Sequence, residues 1–267
     1  MTATEALLRR ERLIVGTGVI FLCLLCWLHI FLGAGTGMST LATTSWQFPP
    51  PARISSTTAP WDSSYWIIVT LMWWIMMIAM MVPSAAPTIL LYARVCRHAQ
   101  KKGQVDDAVI PTAAFVAGYL LAWLVFSLAA TALQWSLERA GLMHAMMMWS
   151  TNSVLSGLFL LVAGIYQLSP MKSVCLKHCR APADFLSRSW RNGQSGAVRM
   201  GLEHGFYCVG CCWFLMALLF VGGIMNLVWI AGLAVFVLVE KLAPHGYWIG
   251  RTSGLPMIAA GGYLLLA

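Results

Sequence analysis

The chain has 267 residues, of which 60% are hydrophobic and only 10% charged, with a net charge of +8. A soluble domain is about a quarter charged, so this composition excludes an ordinary water-soluble globule. The basic residues fall between apolar runs, so they are read as membrane topology and no nucleic-acid partner is expected.

Seven apolar stretches reach or approach the roughly 20 residues needed to cross a bilayer, at 13–32, 65–92, 110–135, 150–168, 205–222, 225–242 and 253–267. They predict one integral membrane domain over 1–267, an all-α polytopic transmembrane helical bundle whose first partner is the lipid bilayer. The first run follows Arg9, Arg10 and Arg12 and lacks a small-residue cleavage site. It is expected as a retained helix rather than a cleaved signal. The loop after it, containing "TTSWQFPPPARISSTTAP", is expected to be irregular. In the second span Pro83 and Pro87 each lack an N–H and crowd the carbonyl four residues back, so a distorted half-helix is expected there. The third and fourth spans are joined by "GLMHAMMMWS", which sets Met143, His144, Met146, Met147 and Met148 at one surface. The fifth and sixth share an apolar stretch broken only by "VGGIMN", either a tight turn or a bent segment with a re-entrant end. The seventh is short and is expected partly in the interface.

Charge bias sets an orientation. With the N-terminus cytoplasmic, the inside segments hold Arg9, Arg10, Arg12, Arg94, Arg97, Lys101 and Lys102. They also hold Lys172, Lys177, Arg180, Arg188, Arg191, Arg199, Lys241 and Arg251. Only Arg53 and Arg139 of the 17 lysines and arginines fall outside. A multi-pass protein with its N-terminus cytoplasmic follows.

Soft donors cluster within that frame. The 8 cysteines and 16 methionines are concentrated in a few short stretches. In "WWIMMIAMMVPSAAP", Met76 and Met80, and Met77 and Met81, are four residues apart and stack along a helix face, with Met72 a turn earlier. Thioethers favour Cu(I) over harder ions, although methionine is also an adaptable filler between helices. "SPMKSVCLKHCRAP" places Cys175 and Cys179 one helical turn apart among Lys172, Lys177 and Arg180, with His178 as a further donor. "EHGFYCVGCCWFLM" sets His204, Cys208, Cys212 and Met216 at four-residue spacing, with Cys211 one step aside. As a helix, this is a stripe of imidazole, thiol and thioether. Disulfides are not expected on the reducing cytoplasmic side, and buried cysteine as a small hydrophobe is the plainer alternative. Glu240 lies level with His204 and Cys208; an intramembrane carboxylate is a functional candidate, or it pairs with Lys241 at the interface. Cys23, Cys26 and His29 are expected as lipid- or helix-facing filler, and Cys96 is given no role.

These motifs, with "YQLSPMKSVCLKHCRAP" and "GLEHGFYCVGCCWFLMALLFVGGIMNLVWIAGLAVFVLVEKLAP", resemble a bacterial family of predicted metal-binding integral membrane proteins, domain of unknown function 2182. The resemblance runs from about Tyr65 to the C-terminus, and the Cys-x-Gly-Cys-Cys-Trp element carries it best. It implies a bacterial inner-membrane protein with copper as the ligand. The candidate metal residues are then Cys175, Cys179, Cys208, Cys211, Cys212, His204, Met76, Met77, Met80, Met81, Met216 and Glu240. The leading expectation is a Cu(I)-handling protein that moves the ion across the membrane or delivers it to a soluble or membrane partner. Passage from outer thioethers to inner thiolates gives it an inward direction. Zinc is the alternative ion, in a closed thiolate site. A copper oxidoreductase or oxygenase is the second reading, weakened by six scattered histidines, and a metal-free assembly subunit the third. The nucleotide-binding motif of a pump is absent from the sequence.

Overall fold

The structure, a computed structural model, describes residues 3–35, 40–46, 61–103, 108–144 and 148–266, with side chains from Val15 onward. The Pro-rich loop at 47–60, which includes Arg53, lies outside the described residues, as do Met146 and Met147. Among the described residues the chain is helical throughout, apart from one isolated antiparallel bridge between Met143 and Ser150. In order the helices are α1 (Ala3–Phe31), α2 (Thr40–Thr43), α3 (Ser63–Lys101), α4 (Val109–Arg139), α5 (Ser153–Leu168) and α6 (Pro170–Arg180). They continue with α7 (Pro182–Ser189), α8 (Gly193–Ala217), α9 (Leu219–Gly222), α10 (Leu227–Leu242) and α11 (Gly246–Leu266).

Each of the seven predicted apolar stretches is helical. Among the described residues three helices are long and apolar enough to cross a membrane: Ser63–Lys101, Val109–Arg139 and Gly193–Gly222. The pair α5 and α6 makes a fourth if it is one span bent by 65°. The fifth stretch starts at Gly193 rather than Gly205, and its added turns pack on α4 through Gly201 and Gly205.

In lipid, apolar burial gives little net drive, so helices associate through close packing and polar contacts. Both are visible. α8 runs along α4 with a Cβ at Gly201 only 2.0 Å from the Phe115 carbonyl, and one at Gly118 only 2.1 Å from that of Val198. Only glycine permits that approach. α11 packs on α5 in the same manner, through Gly157, Gly164, Gly254 and Gly261. α3 lies at the centre, against α1, α4 and α10, with Trp73, Met76, Met77, Met80, Met81, Ile89 and Tyr92 buried. Outward faces of α1, α4 and α11 expose Phe21, Leu24, Val125, Leu128, Leu255 and Tyr263.

Two sequence expectations take a definite form. α3 runs unbroken through Pro83 and Pro87. The Met81 carbonyl, in the turn leading into Pro83, accepts from Ser84 Oγ at 2.8 Å and from Tyr119 Oη at 3.2 Å. "VGGIMN" is a turn rather than a continued helix: Gly223 takes φ +101°, and Asn226 starts α10 by accepting from the Val228 N–H. The turn is wholly buried, and Asn226 Nδ2 satisfies the carbonyls of Gly222 and Ser45, as irregular backbone at this depth requires.

Gly201→Ala should therefore cost about 3 kcal/mol or more, because its Cβ meets backbone that cannot rotate away. Gly232→Ala, with nothing within 4 Å, should be neutral. Thermal melts in mild detergent compare them; equal midpoints would contradict the α4–α8 contact.

Candidate metal centre

The centre begins with a chain break in helical direction. α5 ends at Leu168, Ser169 is extended, and Pro170 opens α6 without needing a donor. The Ser169 hydroxyl accepts from the Lys172 N–H at 3.2 Å, which caps the new helix. The resulting 65° turn carries α6 across α8. Cys175 and Cys179, one turn apart, then both meet α8. Cys175 Sγ lies 3.0 Å from the place a Cβ on Gly210 would take, and Cys179 is within hydrogen-bonding reach of Cys208 and Cys211.

On α8, Cys208, Cys211 and Cys212 are each 1% exposed. The Cys211 and Cys212 thiols donate back to the Cys208 carbonyl at 3.1 and 3.0 Å. Cys212 Sγ also faces Met81 Sδ of α3 at 3.8 Å. Four thiols and one thioether from three helices are thus neighbours, and all eight cysteines are free thiols.

A buried ammonium stands among them. Lys241 Nζ donates to Cys208 Sγ at 2.8 Å and to Ser84 Oγ at 3.3 Å. Tyr119 Oη lies 3.1 Å from the same sulfur. A lone ammonium at this depth costs several kcal/mol, so its retention needs these partners. Beside it, Glu240 forms a buried ion pair with Lys172, whose ammonium also donates to Gln167 Oε1. Arg180 closes the end of α10, donating to the carbonyls of Glu240 at 2.8 Å and Pro244 at 3.0 Å.

The remaining sequence candidates divide. His204 is 2% exposed, against the rings of Phe115, Tyr119 and Phe185, and its Nδ1 has no hydrogen-bond partner among the described residues. Met76, Met77, Met80 and Met216 are buried in the core, and only Met81 has a sulfur contact to a thiol. Glu240 is engaged by Lys172 rather than by Lys241. His178 stacks on Tyr207 at 4.2 Å, and its Nδ1 meets the Val174 carbonyl. At the far end Met143, His144 and Met148 are buried in a turn locked by Ile224 N–H to the Met148 carbonyl and Met148 N–H to that of His144. Burial lowers the His144 pKa, which favours its neutral imidazole.

Among the described residues no three His, Cys, Asp or Glu side chains are arranged around a common ion position. Cys179 lies beside Cys208 and Cys211, with the ammonium beside Cys208. Donor chemistry still suits a soft monovalent ion, for which two sulfurs suffice. A family model described as PpoB2, copper chaperone, matches residues 70–264. The chain belongs to this copper chaperone family. The matched region holds every candidate metal residue. The comparisons with curated proteins and with solved structures gave no match.

Tyr119, within an apolar run, carries no signal in the sequence; Lys172 is expected beside Cys175 and Cys179 and Lys241 beside Glu240, whereas Lys172 pairs with Glu240 and Lys241 with Cys208. The adjacent Glu240–Lys241 pair at the end of a span was the available signal for Lys241.

Glu240→Gln strands the Lys172 ammonium and should cost about 3–5 kcal/mol. The double variant Lys172→Met, Glu240→Leu removes both charges and should recover most of that loss. Chemical or thermal unfolding in detergent reads this. Equal losses in both variants would show that the pair is not what holds α6 to α10.

Proposed function

We propose that this protein is a membrane-embedded Cu(I) carrier that holds the ion on sulfur at the α6–α8 crossing and passes it to a partner. The observation that carries the reading is the meeting of Cys179, Cys208, Cys211, Cys212 and Met81 from three separate helices beside one buried ammonium. Copper here is cargo. Cys208, which touches Cys179, Cys212 and Lys241, is the natural centre of the sulfur set, and Met81 gives a weaker thioether donor for entry.

The carrier is read as crossing the bacterial inner membrane seven times with its N-terminus in the cytoplasm. The Lys and Arg bias supports that orientation, which puts the thiols on the reducing side where they stay free. On the outer side, Met143 and His144 offer a first contact for copper. The buried methionines of α3 lie between that end and Met81, and their thioethers exchange ligands more readily than thiolates. The scattering of the six histidines argues against a self-contained copper enzyme, since no paired imidazoles provide an open redox site.

Protein purified in mild detergent under reducing conditions and supplied with Cu(I) should retain roughly one copper per chain. The triple variant Cys208→Ser, Cys211→Ser, Cys212→Ser should lose it, while Cys23→Ser and Cys96→Ser retain it. Metal analysis by mass spectrometry decides. Tight zinc in place of copper would indicate a structural thiolate site instead, and metal-free wild-type protein would end the carrier reading.

A further inference from the structure

We propose that the cleft between α6, α7 and α8 is the port through which Cu(I) is exchanged with a water-borne acceptor, with His204 as the transfer ligand between the cleft and Cys208. This rests on the copper reading above and deepens it by naming the route.

The cleft has a volume of about 280 Å³ and mixes charges, with Lys177 and Arg188 facing Asp184 and Glu203. Such a lining holds water and suits an acceptor that brings its own sulfur donors. Two residues of its wall adjoin thiols in the chain. His178 and Tyr207, stacked at 4.2 Å, both line the cleft and each immediately precedes a thiol in the chain, Cys179 and Cys208. Cys179 is also half-buried, whereas Cys208, Cys211 and Cys212 are closed off. Away from the cleft, the buried side chains of Met80, Met81 and Met216 belong to the closed core.

His204 supplies the second observation. It lies one helical turn before Cys208, and the Phe185 ring that lines the cleft is 5.2 Å from its imidazole. Tyr119 bridges the same pair from the other side, its ring 5.9 Å from His204 and its hydroxyl 3.1 Å from Cys208 Sγ. Buried polar atoms are nearly always paired, yet His204 Nδ1 is not. Its packing among Phe115, Tyr119 and Phe185 needs only an aromatic ring, so the nitrogen has a use that packing does not explain. Transfer is then ligand exchange. A copper–sulfur bond to a protein thiolate breaks as one to His204 nitrogen forms, and the acceptor's donor then replaces the imidazole. Copper stays Cu(I) throughout, and no electron is moved.

The full chain, loaded with Cu(I) in detergent, is mixed in a stopped-flow instrument with a sulfonated bathocuproine, a water-soluble Cu(I) chelator. His204→Phe keeps the ring and removes the nitrogen; Ser189→Trp fills the cleft from its edge without touching the thiols. Ser189→Trp should hold as much copper as wild type, and in both variants the copper that is bound should leave about tenfold or more slowly. Tyr263→Trp, on the exposed face of α11, should release at the wild-type rate. Wild-type rate constants for release of the bound copper in both cleft variants would overturn the port while leaving the carrier standing. A wild-type chain that binds no copper would overturn the carrier and the port together.

Discussion

Lys241 reaches from α10 to Cys208 of α8 and to Ser84 of α3, so one buried ammonium is hydrogen-bonded to two neighbouring helices at the level of the thiols. A charge at this depth is tolerated only when its partners are held in place around it. That requirement constrains the rest of the fold. α8 must lie deep enough for Cys208 to meet the ammonium, which the glycine contacts with α4 allow. α3 must present Ser84, and it does so in the turn between its two prolines. The adjacent Glu240 then needs a cation of its own, and the bend at Ser169–Pro170 delivers Lys172 to it.

The two ion-bearing contacts on α10 divide their work. Glu240 and Lys172 neutralise each other and bind α10 to α6, with Arg180 adding hydrogen bonds to the end of α10. Lys241 has no carboxylate in its contacts; its hydrogen bonds go to a thiol and a hydroxyl. Were the acidic and basic residues swapped, the sulfur pocket would gain a negative charge and resist holding thiolates. As arranged, the positive charge faces the donors that a cation would use.

Much of this was legible in the sequence, and the limits have physical causes. Helical spacing placed His204, Cys208, Cys212 and Met216 on one stripe, and all four are buried on α8. "SVCLKHC" and "CVGCC" lie in segments far apart in the chain, and the fold brings Cys179 beside Cys208 and Cys211. Partner choice was less accessible. Level does not reveal azimuth, so Glu240 could not be matched to Lys172 without knowing that α6 turns by 65°. Lysines near span ends usually extend to the interface, and Lys241 turns inward only because Cys208, Ser84 and Tyr119 form a pocket that no local pattern encodes. The helical spacing of the methionines was read as a ladder, but it cannot say which sulfur touches a thiol. Tertiary packing selects Met81.

Charge counting bears on which ion the proposed carrier would take. Low-dielectric surroundings penalise net charge, so a bound ion, its ligands and nearby charges should sum close to zero. Cu(I) bound by two thiolates leaves one negative charge, which the Lys241 ammonium cancels. Zn(II) in a four-thiolate site leaves two, and the same ammonium would offset only half. Fully closed thiolate coordination would also leave no donor for exchange, whereas a two-sulfur Cu(I) complex can accept a third ligand as an incoming donor arrives. In the proposed carrier the thiols beyond the first pair would then serve as alternative seats for the ion, within one pocket of nearly constant charge. That is the arrangement a carrier would need: each seat would hold the ion, and none would hold it so completely that it could not move to the next.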